Sequence, residues 1–303
     1  MRFVKGHGTG NDFVVLVDPE RRVDLTPDLV RRICDRRRGI GGDGVLRAVL
    51  SATDPEGAVM SDAARWFMDY RNADGSVAEM CGNGIRVFAR FLVDSWFEPA
   101  GELRIATRAG VKTTNIDPIG DVMVNLGPAE LPHVPGAETH VGTRTWPVTA
   151  VAMPNPHAVA FVNDLDDAGD LASAPAVSPS SAFPDGVNVE FVVVRGTAHA
   201  AMRVHERGVG ETDSCGTGAA AAIVATRRLL GAEAPRTWQL DVRGGALVVT
   251  ERVDGSVELT GPAVLVAAGE LSEAWLAGER VTRFIQPTGC QAVFSSIGYQ
   301  PFG

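Results

Sequence analysis

The chain has 303 residues, of which 21% are charged and 45% are apolar, and its formal net charge is −9. This ordinary globular composition excludes disordered and collagen-like chains. The excess of acidic side chains makes the chain a poor binder of polyanions, so we expect neither nucleic acid nor an anionic membrane surface as a partner.

The predicted elements are mostly short strands. A glycine-rich loop at residues 6–12 lies between two strands, the second at residues 13–17. Apolar residues at helical spacing then predict a helix over residues 27–38, with Thr26 as its N-cap and Gly39 as its end. Further strand-like runs occur at 45–50, 65–70, 103–106, 122–126, 158–162, 187–194, 200–205, 240–242, 246–250 and 257–260. Many strands and few helices predict an α+β fold.

The four cysteines, Cys34, Cys81, Cys215 and Cys290, lack the spacing of a disulfide scaffold or of a metal site. The sequence has no apolar signal-peptide core near its start, and its most apolar stretch, residues 219–225, is too short to span a bilayer. We therefore expect a cytoplasmic protein with free thiols and without a metal ion.

An internal repeat links the two halves of the chain. Residues 80–92 and 214–226 each contain Cys-Gly-x-Gly followed by an apolar run suited to a buried helix. The two cysteines, Cys81 and Cys215, lie close to half the chain length apart. Since domains average about 150 residues, the repeat predicts two similar halves, each presenting one cysteine.

A cysteine placed just before a helix lies in a special electrostatic environment. The first turn of a helix has unpaired backbone N–H groups and a partial positive charge, and glycines let a ligand approach closely. Such an end binds a carboxylate or phosphate. The same field favours thiolate over thiol, so we expect the pKa of each cysteine to fall from about 8.5 towards neutrality.

Two facing thiols suit the inversion of a stereocentre. One thiolate removes the α-proton from one face while the second group, a thiol, delivers a proton to the other face. General acid–base assistance of this kind is worth about 10²- to 10⁴-fold per group. The planar carbanion also needs oriented donors, which two helix ends supply.

Five segments resemble the diaminopimelate epimerase family, in its order and with its spacing. They are GHGTGNDF (6–13), YRNADGSVAEMCGNGIR (70–86), NPH (155–157), GVNVEF (186–191) and HERGVGETDSCGTGAAA (205–221). The resemblance covers about residues 1–275 and implies an isomerase that converts LL- to meso-2,6-diaminopimelate in lysine and cell-wall precursor biosynthesis. It implies no pyridoxal phosphate or other cofactor, and a homodimer.

The resemblance also implies the architecture: two pseudo-symmetric domains, each a barrel-like sheet around a central helix, with the active site in the cleft between them. We expect residues 1–122 to form the first domain, completed by the chain after about residue 263, and residues 123–262 to form the second. Residues 263–303 would be a return segment and a tail, and the sequence indicates no role for the part after about 283.

The resemblance assigns roles to individual residues. Cys81 and Cys215 would be the acid/base pair, with His157 and Glu206 tuning them. The substrate's amino and carboxylate groups would be held by polar side chains and by backbone N–H groups. These residues are Asn11, Asn72, Gly82, Asn83, Asn155, Asn188, Glu206, Arg207, Gly216 and Thr217.

Two positions depart from the family pattern. Gly44 stands where many members have a substrate-binding Gln, so that contact is lost or made by another group. Pro154 stands before the NPH segment where Gly is usual. Neither position is one of the thiols.

Other functions remain open on the sequence alone. A proline or hydroxyproline racemase would use the same two thiols on a smaller substrate. A redox protein would cycle Cys81 and Cys215 through a disulfide, and a silent amino acid-binding protein would use neither. Residues 39–44 match GxGxxG, but a basic helical run precedes them, which argues against a dinucleotide site. His205-Glu206 begins a zinc motif, but Val209 takes the place of its second His.

Overall fold

The computed structural model describes residues 1–278. The predicted tail from about residue 283, with Cys290, lies outside this range. The first half contains seven strands and two helices. They are β1 (Arg2–Gly8), β2 (Asn11–Val17), α1 (Pro27–Cys34), β3 (Gly44–Leu50), β4 (Trp66–Asn72), α2 (Gly82–Asp94), β5 (Gly101–Thr107), β6 (Gly110–Ile116) and β7 (Val122–Pro128).

The rest of the described chain forms a second set of elements around one long helix. They are β8 (Glu138–Val141), β9 (Arg144–Ala152), β10 (Pro156–Phe161), β11 (Ala176–Ser178), β12 (Asn188–Gly196), β13 (His199–Glu206), β14 (Gly210–Thr212), α3 (Gly216–Leu230), β15 (Thr237–Val242), β16 (Gly245–Glu251), β17 (Ser256–Gly261), β18 (Val264–Glu270) and α4 (Glu273–Leu276).

The two halves repeat one pattern of strand pairing. In the first half, the strands lie in the order β1-β2-β3-β4-β5-β6-β7. From β1 onwards, successive neighbours pair antiparallel, parallel, antiparallel, parallel, antiparallel and antiparallel. In the second half, β9-β10-β12-β13-β15-β16-β17 follows the same sequence of orientations. The equivalent strands β7 and β17 pair with each other and join the halves. This repeat confirms the predicted α+β fold with two pseudo-symmetric domains.

Each half wraps its sheet around one buried helix. Residues Gly82–Leu92 of α2 are buried on every side, as are Gly218–Thr226 of α3. A helix that is buried all round belongs in a core, and α2 carries the polar side chains of Asn83, Arg86 and Arg90 into it. Helix α2 packs on strands of the first half, and α3 packs on strands of the second. The sheet therefore presents the two helix N-termini, and the cysteines before them, to one shared region.

The segment after β17 returns to the first half. Strand β18 pairs antiparallel with β1, and the Met1 amino group donates to the Leu271 carbonyl oxygen at 2.9 Å. The domain bounds at residues 1–122, 123–262 and 263–303 stay a prediction. Within residues 1–278, no helix is both long and apolar enough to cross a membrane.

Helix α1 is shorter than predicted. It begins at Pro27 after the Thr26 cap but ends at Cys34, not at Arg38. The Asp35 carboxylate accepts hydrogen bonds from the backbone N–H groups of Arg37 and Arg38, both at 2.8 Å. These local bonds compete with helix propagation and turn the chain towards Gly39.

Four substantial strands escaped the sequence analysis: β6, β8, β9 and β18. Strand β18 has mostly exposed side chains and ends in Ala-Ala-Gly-Glu, so it lacks a strand-like apolar alternation.

Candidate active site

The two repeated cysteines are the N-caps of the two central helices. Cys81 has an extended backbone, and its Sγ accepts a hydrogen bond from the Gly84 N–H at 3.4 Å. Cys215 has the same conformation, and its Sγ accepts from the Gly218 N–H at 3.4 Å. Each thiol therefore occupies the position where a Ser or Asp usually caps a helix, directly in the field of the free N–H groups.

Glycines bring the two helix ends into contact. A Cβ atom on Gly82 would lie 3.3 Å from the Gly216 Cα, and one on Gly216 would lie 3.0 Å from the Gly82 Cα. At distances this short, a side chain at either residue would push the facing backbone away by a few tenths of an ångström. The positive ends of both helices thus converge on one place, which suits the binding of a carboxylate.

A hydrogen-bond bridge crosses between the halves beside this contact. Asn83 is fully buried, and its Nδ2 donates to the Ser214 carbonyl oxygen at 2.9 Å and to the Asn11 Oδ1 at 3.3 Å. The Thr9 hydroxyl donates to the Ser214 Oγ at 3.0 Å. Residues next to both cysteines are therefore held in register by buried polar groups.

Asn11 lies against the first thiol. The Cys81 thiol donates to the Asn11 Oδ1 across 3.6 Å, and the Asn11 Nδ2 donates to the Asp43 carboxylate at 2.7 Å. Arg36 binds the same Asp43 at 2.7 Å. The carboxylate fixes the amide so that its oxygen faces the thiol.

Glu206 and Thr217 lie against the second thiol. The Thr217 hydroxyl is 3.6 Å from the Cys215 Sγ, and the Thr212 hydroxyl donates to the Glu206 Oε1 at 2.5 Å. Burial raises the pKa of Glu206, and hydrogen bonds from Thr212 and Cys215 partly oppose the rise. A carboxylate with a raised pKa next to a thiol is a suitable proton acceptor for it.

The expected near-neutral thiols are not found. Burial raises the pKa of Cys81 to about 11, although the N–H groups of Gly84 and Asn83 and the charge of Arg86 pull it down. Burial also raises the pKa of Cys215 well above its ordinary value, and the charge of Glu206 adds to the rise. Loss of solvation therefore outweighs the helix field, a balance that the sequence pattern does not reveal.

His157 lies in the buried core of the second half, and both of its ring nitrogens have hydrogen-bond partners other than the thiols. Its Nδ1 is 2.6 Å from the Glu190 Oε1, and its Nε2 is 3.0 Å from the Asn155 Oδ1. Both His157 and Glu190 are fully buried. Sequence reasoning missed Glu190, and its signal was an acidic residue inside the apolar run of β12.

The remaining predicted substrate contacts are spread around the cleft. The Asn188 Nδ2 donates to the Pro156 carbonyl oxygen at 3.1 Å, and its Oδ1 accepts from the Arg207 N–H at 2.9 Å. The exposed Arg207 guanidinium donates to the Asp185 carbonyl oxygen at 3.0 Å. The Asn72 Nδ2 donates to the Ser76 Oγ at 3.0 Å within its own turn. The structure thus gives Asn188 and Asn72 local partners, and their substrate roles stay predictions.

The glycine at position 44 makes room for the ring of Tyr70. The sequence analysis did not identify Tyr70 as a residue near the thiols. A Cβ on Gly44 would lie 2.8 Å from the Tyr70 Cε2. The ring packs edge-on against Phe13, with the ring centroids 5.9 Å apart. Burial raises the pKa of Tyr70 well above its ordinary value, and the charges of Cys81 and Glu206 contribute. The other departure, Pro154, is exposed in a turn where the Met153 N–H donates to the Asn155 carbonyl oxygen at 3.1 Å.

The described thiols are all free: Cys34, Cys81 and Cys215. Cys34 is buried on α1, as expected from its place on the apolar face. Residues 1–278 contain no group of three or more His, Cys, Asp or Glu side chains arranged to hold a metal ion.

Comparison with known sequences gives a consistent family. A family model described as diaminopimelate epimerase matches residues 3–132 and 149–266. The chain is 59% identical over 281 residues to the diaminopimelate epimerase of Streptomyces coelicolor, with 91% of this chain and 97% of that protein covered. It is 45% identical over 293 residues to the diaminopimelate epimerase of Mycolicibacterium paratuberculosis, with 91% and 98% covered.

Comparison with solved structures agrees on the fold. A phenazine biosynthesis protein of the PhzF family from Bacillus anthracis matches with a TM-score of 0.65 and 15% identity, covering 90% of this chain and 99% of that chain. A probable proline racemase from Agrobacterium radiobacter matches with a TM-score of 0.64 and 16% identity, covering 90% and 93%. At these identities the likeness concerns the fold alone.

Proposed function

The chain belongs to the diaminopimelate epimerase family, and on that premise we propose that it converts LL- to meso-2,6-diaminopimelate by moving the α-proton between Cys81 and Cys215. The reaction needs no cofactor and serves lysine and cell-wall precursor biosynthesis. The observation that carries the proposal is the end-to-end contact of the two helices at Gly82 and Gly216, with a capping thiol on each.

The converging helix ends would hold the α-carboxylate of the reacting centre. Backbone N–H groups of Gly82, Asn83, Gly216 and Thr217 are the free donors of the first helical turns. One cysteine thiolate removes the α-proton, so a C–H bond breaks and an S–H bond forms. The electron pair spreads onto the carboxylate, where the N–H groups stabilise it. The opposite thiol then gives its proton to the other face of the carbon, and its S–H bond breaks.

Glu206 is the base that we propose for Cys215. The carboxylate accepts the thiol proton, and its raised pKa brings its proton affinity closer to that of the thiol. His157 lowers the pKa of Glu206 from a position fixed by hydrogen bonds with Glu190 and Asn155. His157 is therefore a positioning residue for the second half of the site.

The far end of the substrate carries its own ammonium and carboxylate groups, which a selective site must recognise. We assign these contacts to Asn72, Asn155, Asn188 and Arg207. The Arg207 guanidinium is exposed and uses a single hydrogen bond within the described residues. A guanidinium binds a carboxylate through two parallel hydrogen bonds, which suits the distal group.

An isotope experiment tests the reaction. Reduced protein is incubated with LL-diaminopimelate in D₂O with a chelator and without pyridoxal phosphate. We expect deuterium at the α-carbon together with formation of the meso isomer. Proline and hydroxyproline are run in parallel. Exchange on either of these, without exchange on diaminopimelate, would contradict the assigned substrate.

Single cysteine variants assign each thiol to one face. We expect Cys81→Ala and Cys215→Ala to lose isomer conversion, because one base serves only one face of the carbon. Each variant should still exchange the α-proton of one isomer, and the two variants should favour opposite isomers. Mass spectrometry of the separated isomers measures this exchange. Conversion at a near-normal rate in either variant would contradict the two-base mechanism.

We also propose a homodimer in the cytoplasm, on the basis of the family resemblance. Sedimentation equilibrium at micromolar concentration tests the assembly, and a mass of one chain would overturn it. Cell fractionation tests the location, and recovery of the protein with membranes would overturn that.

A further inference from the structure

Arg86 is a buried cation that carries its charge into the core of the first half. Its side chain is fully buried on α2, five residues after Cys81. It forms no ion pair within residues 1–278, and its Nε and Nη1 atoms have no hydrogen-bond partner there. Burying an unpaired charge is costly, so a retained buried guanidinium calls for a physical reason.

The bonds that Arg86 does form lead to both helix N-termini. Its Nη2 donates to the Asn83 Oδ1 at 2.8 Å and to the Thr9 Oγ1 at 3.0 Å. Asn83 then reaches the Ser214 carbonyl oxygen, and Thr9 reaches the Ser214 hydroxyl. One guanidinium therefore fixes the residues next to both cysteines.

The backbone around Arg86 is shaped to admit it. A Cβ atom on Gly261 would collide with Nη1, and one on Gly8 would lie 3.0 Å from Nη2. Gly8 ends β1 in the first half, whereas Gly261 ends β17 in the second. Glycines from both halves thus line the guanidinium at the junction between them.

We propose that Arg86 is a positioning residue of the active site, whose bonds hold the two helix ends in register and whose unpaired charge supports the anions bound there. These anions are the Cys81 thiolate and, resting on the proposed function, the α-carboxylate of the substrate. Substrate binding adds the negative charge of the α-carboxylate to that of the thiolate at the helix ends. The positive charge of Arg86 offsets this added charge.

The charges around Cys81 fit this role. Glu206 raises the pKa of the thiol, and Arg86 is the cation that opposes it. The charge of Cys81 in turn adds to the rise in the pKa of Tyr70. Burial lowers the pKa of Arg86 to about 10, and the thiolate and Asp121 raise it, so the guanidinium stays charged at neutral pH.

Arg90 provides a matched control on the same helix. It is 5% exposed, but its guanidinium donates to the carbonyl oxygens of Asp117 at 2.9 Å and Gly120 at 2.8 Å. It also pairs with Asp94. Arg90 is therefore a satisfied structural arginine, one turn further along α2 from the thiol.

The test separates charge from packing by measuring a thiol. The variants are Arg86→Met, Arg86→Gln and Arg86→Lys, with Arg90→Gln as the control. The rate of Cys81 alkylation by iodoacetamide is followed against pH by mass spectrometry. Cys34 is buried, so its alkylation reports loss of structure. Circular dichroism checks the fold. If Arg86→Met fails to fold, Arg86→Gln serves as the second variant that removes the charge.

We expect the neutral variants to alkylate Cys81 about tenfold more slowly at pH 7.5, which corresponds to about one pKa unit. Arg86→Lys should stay within about twofold of wild type, because it keeps the charge. Its kcat should nevertheless fall, since the shorter lysine lacks the planar Nη2 group that donates to both Asn83 and Thr9. Arg90→Gln should leave the Cys81 profile unchanged.

An unchanged Cys81 profile in folded Arg86→Met or Arg86→Gln would overturn the charge role. Wild-type kcat in Arg86→Lys would overturn the positioning role. The alkylation assay uses no substrate, so it remains informative if wild-type protein fails to epimerise diaminopimelate. That failure would contradict the proposed function, whereas the alkylation rates would still test the effect of the Arg86 charge on Cys81.

Discussion

At the scale of single residues, the hydroxyl of Thr212 sets the ionisation of Glu206. It donates to the carboxylate at 2.5 Å and thereby lowers its pKa against the effect of burial. Thr212→Val keeps the shape and removes the donor, so the pKa of Glu206 should rise. A hydrogen bond to a charged group is worth about 1.5 to 3 kcal/mol, which corresponds to about one pH unit or more. We expect the acidic limb of the kcat/KM profile to move to higher pH by about that amount.

The matched control for this change is Thr114→Val. Thr114 is fully buried, and its hydroxyl donates to the Leu103 carbonyl oxygen at 3.0 Å, away from the thiols. The Thr114→Val variant should be less stable than wild type but should show an unchanged pH profile of kcat/KM. An unmoved profile in Thr212→Val would show that Glu206 is not the base serving Cys215.

The residues that the sequence could identify are those embedded in a local pattern. Cys81 and Cys215 were predicted because Cys-Gly-x-Gly before an apolar run is a helix start with a chemical group at its cap. Arg86 and Glu190 were missed as site residues because their significance depends on burial and on distant partners. The same reason explains the error in the thiol pKa, since desolvation depends on the whole fold.

At the scale of elements, the contact between α2 and α3 fixes the distance across the site. Gly216→Ala would place a Cβ 3.0 Å from the Gly82 Cα, and the helix ends would have to separate. Misplacement of reacting groups by about 1 Å costs about 100-fold in rate, so a separation of a few tenths of an ångström should lower kcat by about three- to tenfold. Overpacking should also lower the unfolding free energy by about 1 to 3 kcal/mol. Steady-state kinetics and urea unfolding measure the two effects.

Gly231→Ala provides the comparison at the other end of α3. Gly231 has φ +89°, and a Cβ atom added there would meet nothing within 4 Å, so the change strains the backbone without touching the cleft. It should destabilise the protein by about 1 kcal/mol while kcat is retained. Equal kcat losses in the two variants would indicate that general destabilisation, not helix separation, limits the rate.

The buried helices were the most predictable elements, because a long apolar run after a cap has few alternatives. The strands at the surface were the least predictable. Strand β18 has mostly exposed side chains and forms because β1 offers an edge for pairing. This pairing joins residues 2–7 to residues 264–270, which are far apart in the sequence. The end of α1 depends on the carboxylate of Asp35, a local competition that apolar spacing does not record.

At the scale of the whole molecule, the pairing of β7 with β17 makes the two halves one continuous structure. The repeat in the sequence was visible only around the cysteines, whereas the repeat in the structure extends through seven strands of each half. Strand pairing constrains backbone geometry and tolerates many side chains. The pseudo-symmetry therefore survives in the fold where the sequence halves no longer resemble each other.

Stability should depend on pH through ion pairs that the fold buries. Asp69 is fully buried on β4 between Arg47, at 2.6 Å, Arg71, at 2.9 Å, and Arg108, at 2.6 Å. Burial raises its pKa, but these arginines outweigh that effect and hold the pKa below its ordinary value. A carboxylate with a lowered folded-state pKa stabilises the protein above its unfolded pKa of about 4. That stabilisation is lost as the pH falls through the folded-state value.

Asp69→Asn removes the charge and leaves the buried Arg47 with Asp18, at 3.5 Å, as its carboxylate partner. We expect a loss of about 3 to 5 kcal/mol in unfolding free energy at pH 7, measured by urea titration. The difference from wild type should shrink as the pH falls from about 4 through the lowered folded-state pKa of Asp69, because the carboxyl is protonated first in the unfolded state and then in the folded state. The exposed Asp62→Asn removes a carboxylate that forms no side-chain hydrogen bond or ion pair within residues 1–278, so it should follow wild type throughout. Curves for Asp69→Asn and wild type that stay parallel down to pH 2 would mean that Asp69 does not carry the acid sensitivity of the fold.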